Sequence, residues 1–150
     1  MTFSNNLKLL DMMPLGYTSE YIETLLETLG ENGRQVYLKT QLPVDMIYPL
    51  LFGVSYSLLI GYFLKKLDKL NSVFFILCFL PVIAGIADYS ENFGIITMLI
   101  NYPDLSPTTI KVTNIFSVVK SMSTTVFFVT LIIILIFFGI KTIKERKTSH

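Results

Sequence analysis

Residues 85–95 read GIADYSENFGI, and whether this stretch continues a membrane helix or ends one decides the architecture of the chain. Apolar sequence precedes it (LCFLPVIA, 77–84) and follows it (IITMLI, 95–100). Carried through, the run is one span of 72–100 with two carboxylates, Asp88 and Glu91, inside it. Ended at Ala87, it would leave SENFGIITMLINYP as a short interfacial segment and both acids as ordinary surface residues. The apolar residues that follow support the first reading, because about 20 apolar residues at 1.5 Å rise cross a hydrocarbon core of about 30 Å.

Two further apolar blocks behave alike, giving spans at 43–64 and 108–140. The composition agrees: 52% of the 150 residues are hydrophobic and 15% charged, with a mean hydropathy of +0.60. The fold class is therefore all-α integral membrane, three transmembrane helices plus an extracytoplasmic N-terminal amphipathic helix, in a single membrane domain covering 1–150. No basic patch with interleaved aromatics exists to follow a phosphate backbone, so nucleic acid is excluded as a partner. The apolar part of MTFSNNLKLLDMMPLGY is short and broken by Asp11 and Pro14, so a cleavable signal is not expected. Cys78, the single cysteine, falls mid-span.

Lysine placement sets the expected orientation. KKLDK (65–69) and KTIKERK (141–147) hold seven of the twelve basic residues, close to span ends, and face the cytoplasm by the positive-inside rule. The connector NYPDLSPTT (101–109) has no basic residue, and the first 42 residues carry five acids against three bases. N-terminus outside and C-terminus cytoplasmic satisfies every segment, and a bacterial plasma membrane is the expected setting.

Within the N-terminal segment, Ile22, Leu25, Leu26 and Leu29 recur at helical spacing with Glu20, Glu23 and Glu27 opposite. This predicts a helix over 18–30, capped by Thr18 or Ser19 and ended by Gly30, lying as a lid over the outer end of the bundle. Its acidic face argues against attraction to anionic lipid. Pro43 suits the first turn of span one, and Pro81 is a candidate kink in span two.

Counting from the cytoplasmic anchors places the intramembrane polar residues at one depth. Asp45 is 20 residues from Lys65, Asp88 and Glu91 are 19 and 22 from Lys69, and Lys120 is 21 from Lys141. All four sit roughly 30 Å up. Helical phase aligns Asp88 with Glu91 and Asn92, Asp45 with Tyr48, and Lys120 with Ser117, Ser121 and Thr124. Three acids against one lysine leave negative charge that Arg34 or Lys39 could balance, with Tyr37 on the same segment. Simpler roles exist: Asp45 can complement a helix N-terminus, Lys120 can snorkel, and Tyr37, Tyr48, Tyr89 and Tyr102 suit an interfacial belt. The candidate ligand-binding or polar-cluster residues are Asp45, Tyr48, Asp88, Glu91, Asn92, Lys120, Arg34 and Tyr37.

The segments LG-x-x-GR-x-x-Y (29–37), D-x-x-YP (45–49) and D-Y-x-EN (88–92) resemble those of small uncharacterised multi-span integral membrane proteins. That resemblance implies a membrane fold and carries no activity. Some such proteins begin with an additional span, for which this chain is expected to have no counterpart.

Three function classes compete. The first is a binding or catalytic site for a membrane lipid or other amphiphile, with Glu91 or Asp88 as acid/base and Lys120 as charge stabiliser. The second is a structural or accessory subunit of a membrane complex or homo-oligomer. The third, ion or proton transport, ranks last because LCFLPVI and FFVTLIIILIFF are almost devoid of polar groups. Hydrolase, zincin, P-loop and Rossmann motifs are missing and the only histidine is His150, so no cofactor and no zinc are expected. A hard cation on Asp45, Asp88 and Glu91 is chemically conceivable.

Overall fold

The computed structural model describes residues 7–148, and among them every regular element is helical. After a 3₁₀ turn at Leu10–Met12 come α1 (Ser19–Val36), a π-type turn (Tyr37–Gln41), α2 (Leu42–Asp45) and α3 (Tyr48–Lys66). A 3₁₀ stretch (Val73–Phe79) leads into α4 (Leu80–Asn101), and α5 (Pro107–Thr148) completes the chain. Three helical stretches, Ser19–Lys66, Val73–Asn101 and Pro107–Lys147, are long and apolar enough to cross a membrane. Large apolar side chains cover the outside of the bundle, among them Leu58, Ile132, Ile136 and Phe137. Such a surface is a liability in water and is what contact with lipid requires. The chain has the fold of an all-α integral membrane protein.

Local chemistry explains where the helices depart from the simple windows. Thr18 caps α1 by accepting from the Tyr21 N–H at 3.2 Å, and the predicted break falls at Gly30. There φ is 61° and ψ −176°, a region essentially restricted to glycine. Helical structure resumes at once, so span one has no fresh start at Pro43. Since Pro43 has no N–H for the carbonyl four residues back, the ladder widens before it: the Leu42 N–H reaches the Tyr37 carbonyl, five residues away. Pro81 does not kink an α-helix either; it occupies the first turn of α4, and the residues before it are 3₁₀.

The interior consists of two apolar clusters with a polar layer between them. The upper one joins the N-terminal segment to the top of α4 through Leu10, Ile22, Leu26, Leu42, Ile95 and Met98. The lower one packs Phe52, Ile60 and Leu64 against Ala84, Phe127 and Leu131. The residues between the clusters include the polar ones: Asp45 between Leu42 and Phe52, Asp88 and Glu91 between Ala84 and Ile95, Lys120 above Phe127. The four Leu and Ile residues of the α1 stripe are buried and Glu20, Glu23 and Glu27 are exposed, so that helix spends its apolar face on the top of the bundle.

At the lower end the lysine anchors do meet. Lys141 Nζ lies 2.6 Å from Asp68 Oδ2 and donates to the Lys66 carbonyl at 2.8 Å. The donated hydrogen bond and the charge of Lys141 hold the Asp68 carboxyl below the usual carboxylate range. A lowered folded-state pKa stabilises above the unfolded carboxyl pKa and is lost as pH falls through the folded value. Asp68→Asn, which keeps a residue tolerant of the φ of 58° found there, should therefore lower the melting temperature slightly at neutral pH. The difference from wild type should vanish at acid pH and shrink in high salt, because the pair is solvent-exposed; pH-resolved melting curves in detergent check this.

Candidate functional site

The α4–α5 pair runs antiparallel and builds the site. Gly94 allows the helices to close: a Cβ there would lie 1.9 Å from Thr113 Oγ1. One turn down α4, Glu91 meets Lys120, which also contacts Asp88 Oδ1 at 3.4 Å. Glu91 is fully buried, whereas Asp88 and Lys120 retain 15% and 17% exposure. A third acceptor comes from the N-terminal segment: Lys120 Nζ donates to the Asp11 carbonyl oxygen at 3.3 Å. An ammonium has three N–H donors, and three acceptors surround this one.

Residues 8–17 form a strap across this junction. The Ser117 hydroxyl, beside Glu91, donates to the Met13 carbonyl at 3.0 Å. The Tyr17 N–H donates to Asn114 Oδ1 at 3.0 Å, and the Tyr21 hydroxyl donates to the Lys8 carbonyl at 2.8 Å. Tyr37, almost wholly buried, donates its hydroxyl proton to Asp11 Oδ1 and accepts the Asp11 N–H at 3.4 Å. Burial pushes the Tyr17 phenol far above its ordinary range, so it stays neutral. Its hydroxyl, Glu91 Oε1 and both polar side-chain atoms of Asn92 are buried without a hydrogen-bond partner among the described residues.

Under the strap lies a cavity of about 440 Å³. Asp11, Asp45, Asp88 and Lys120 form its charged part, Ser121, Thr124 and Thr125 a hydroxyl wall, and Tyr48, Phe52 and Ala84 its apolar side. The rings of Tyr48 and Phe52 stand 5.7 Å apart, and Phe52 packs on Phe127 at 5.3 Å, which floors the cavity with aromatic core. Asp45 Oδ2 accepts from Gln41 Nε2 at 3.3 Å, and Asp45 shares the cavity lining with Asp11.

Depth counting from the lysines therefore brings together Asp45, Tyr48, Asp88 and Lys120 around one cavity, with Glu91 behind Lys120 instead of on the cavity wall. An acid/base step in the cavity would fall to Asp88. Asn92 is fully buried and does not line it. Tyr37 joins only through Asp11. Arg34 lies elsewhere: its guanidinium donates to the Leu26 carbonyl at 2.8 Å and stacks 4.5 Å over the Tyr102 ring, so it serves a carbonyl released by the break at Gly30 instead of balancing the acids. Lys39 is exposed. Asp11 was not among the candidates; the signal in the sequence is a single acid inside the apolar run LKLLDMMPL, the same irregularity that marks Asp88. Among the described residues no three His, Cys, Asp or Glu side chains converge to hold a metal ion, so Asp45, Asp88 and Glu91 do not form the hard-cation site that their shared depth suggested.

Fold and site together define a class: a three-helix membrane protein with a strapped, acid-lined cavity between two apolar cores. No protein-family profile, curated protein or solved structure matches the chain.

Proposed function

We propose that this protein binds a membrane lipid or another amphiphile in the cavity between α3, α4 and α5, its charged end near the outer face of the membrane. The observation that carries this reading is the lining itself. A concave, largely apolar space with a few convergent polar groups is the usual form of a small-molecule site. Here the polar groups lie under the strap and the aromatic floor faces the lower core, which is the polarity of an amphiphile. Lysine placement supports an N-terminus outside and a C-terminus in the cytoplasm, and the strap then caps the cavity from the outer side. Transport is disfavoured because Ile60, Leu64, Phe127, Leu131 and Ile134 fill the lysine-bearing half, leaving no polar path through it.

One observation favours a second reading, an accessory subunit or homo-oligomer. An apolar groove of about 410 Å³ runs along α3 and α4, lined by Gly53, Val54, Ser57, Val82 and Ile86. Small residues of this kind admit a neighbouring helix closely. Native mass spectrometry of the protein purified in mild detergent separates the two. A monomer carrying one stoichiometric amphiphile is the expected result; a symmetric oligomer or a tightly held protein partner with no amphiphile would overturn the binding reading.

A further inference from the structure

We infer that the cavity selects its amphiphile by a protonated amine head group and rejects anionic ones. The inference rests on the amphiphile reading and adds the chemistry of the ligand.

Lys120 is the one cation among the described residues of the cavity wall. Lys120 could hold a phosphate or carboxylate only if its ammonium had a donor to spare, and its three donors already face Glu91, Asp88 at 3.4 Å and the Asp11 carbonyl at 3.3 Å. An anionic head group would have to pull Lys120 away from Glu91, a fully buried carboxylate that would then stand alone in a low-dielectric interior. Lys120 is therefore a structural cation, and the charge presented to a ligand is that of the acids.

Among the described residues two of those acids, Asp11 and Asp45, have no ion-pair partner. Both line the cavity; the side-chain partners of their carboxylates are the Tyr37 hydroxyl and the Gln41 amide, both neutral. Carboxylates that share a partly desolvated cavity gain most from a cation placed among them. A second, independent observation lies behind the wall. Glu91 has no exposed surface, its Oε1 has no hydrogen-bond partner among the described residues, and its Oε2 pairs with Lys120, the lysine that lines the cavity. Positive charge entering the cavity would relieve it as well.

Aromatic lining completes the match. Tyr48 and Phe52 stand beside the acids, and aromatic faces next to carboxylates are the chemistry that recognises ammonium groups. The hydroxyls of Ser121, Thr124 and Thr125 can accept remaining N–H donors, and a chain attached to the amine would run along Phe52 toward the lipid.

The test measures 1:1 binding of dodecylamine, dodecanoate and dodecyl phosphate to the full chain in maltoside micelles, for wild type, Asp45→Asn and Thr124→Phe. Expected are dodecylamine bound in preference to both anions, a loss of about tenfold or more in Asp45→Asn, as for a charge-assisted hydrogen bond, and loss of binding in Thr124→Phe, which fills the cavity. Asp104→Asn, in the exposed α4–α5 connection, should bind as wild type, and melting curves verify that each variant is folded. Phosphatidylethanolamine and phosphatidylglycerol run in parallel identify the source: preference for the first over the second assigns a bilayer lipid, and binding of dodecylamine alone assigns a single-chain amine. If dodecanoate or dodecyl phosphate binds as well as the amine and Thr124→Phe abolishes it, the head-group inference is wrong while the amphiphile site stands. If no probe binds, or Thr124→Phe changes nothing, the amphiphile reading fails and takes the inference with it.

Discussion

Replacing Lys120 by methionine should destabilise the protein by about 3–5 kcal/mol, the usual effect of removing one partner from a buried ion pair. The size follows from what is left behind. Glu91 has no exposed surface, so its carboxylate would lose its counter-charge without gaining water, and Asp88, with 15% exposure, would fare little better. The strap would also lose the ammonium that holds the Asp11 carbonyl. Glu91→Gln in the same background removes the stranded charge and should restore much of the loss, so Lys120→Met/Glu91→Gln should melt well above Lys120→Met alone. Lys111→Met, on an exposed stretch of the same helix, should melt as wild type. Equilibrium unfolding in detergent reads all four; a Lys120→Met protein as stable as wild type would mean that Lys120 snorkels away from the acids.

That Asp45, Asp88 and Lys120 share one level of the bundle was legible in the sequence, because it depends on two quantities that do not vary, the helical rise and the spacing from the lysine anchors. Lys141 and Asp68 pair at the lower end, so the rulers for span three and for the loop before span two share an origin. Asp45, Asp88 and Lys120 then line one cavity. Gly30 was legible too, since its backbone region belongs almost to glycine alone. What failed was anything set by contacts between distant parts of the chain. Asp11 lies in a segment without helical period, and hydrogen bonds to Tyr37 and Lys120, 26 and 109 residues away, hold it over the cavity. Arg34 was matched to the acids because it is a nearby cation, yet backbone carbonyls freed at a helix break compete for guanidinium donors and leave no mark in a charge count. Glu91 shared the depth and phase of Asp88, and periodicity alone could not place one on the cavity wall and the other behind it.

Gly94→Val should be strongly destabilising. Even an alanine Cβ at this position would lie 1.9 Å from Thr113 Oγ1 and 2.7 Å from Thr113 Cβ, so α4 and α5 must separate or rotate. Forcing extra carbon into a packed interface costs typically about 1–3 kcal/mol, but Gly94 is also three residues from Glu91 and packs against α5 seven residues before Lys120. A helix is stiff over one turn, and a wedge at 94 therefore pulls the Glu91 carboxylate off the ammonium and adds part of the buried-pair penalty to the overpacking. Gly94→Ala should fall within the overpacking range and Gly94→Val above it. Thr113→Ala in the Gly94→Ala background should recover part of the loss, because it removes Oγ1 and Cγ2 while leaving the Cβ contact. Gly139 is the control on the same pair of helices' lower end: a Cβ there meets nothing within 4 Å, so Gly139→Val should be tolerated. Disulfide trapping between cysteines at 88 and 120 provides the structural readout, since the wedge should lower its yield while Gly139→Val leaves it unchanged. A Gly94→Val protein that melts and crosslinks like wild type would show that α4 and α5 do not approach at this point, and the ion pair below it would then need another explanation.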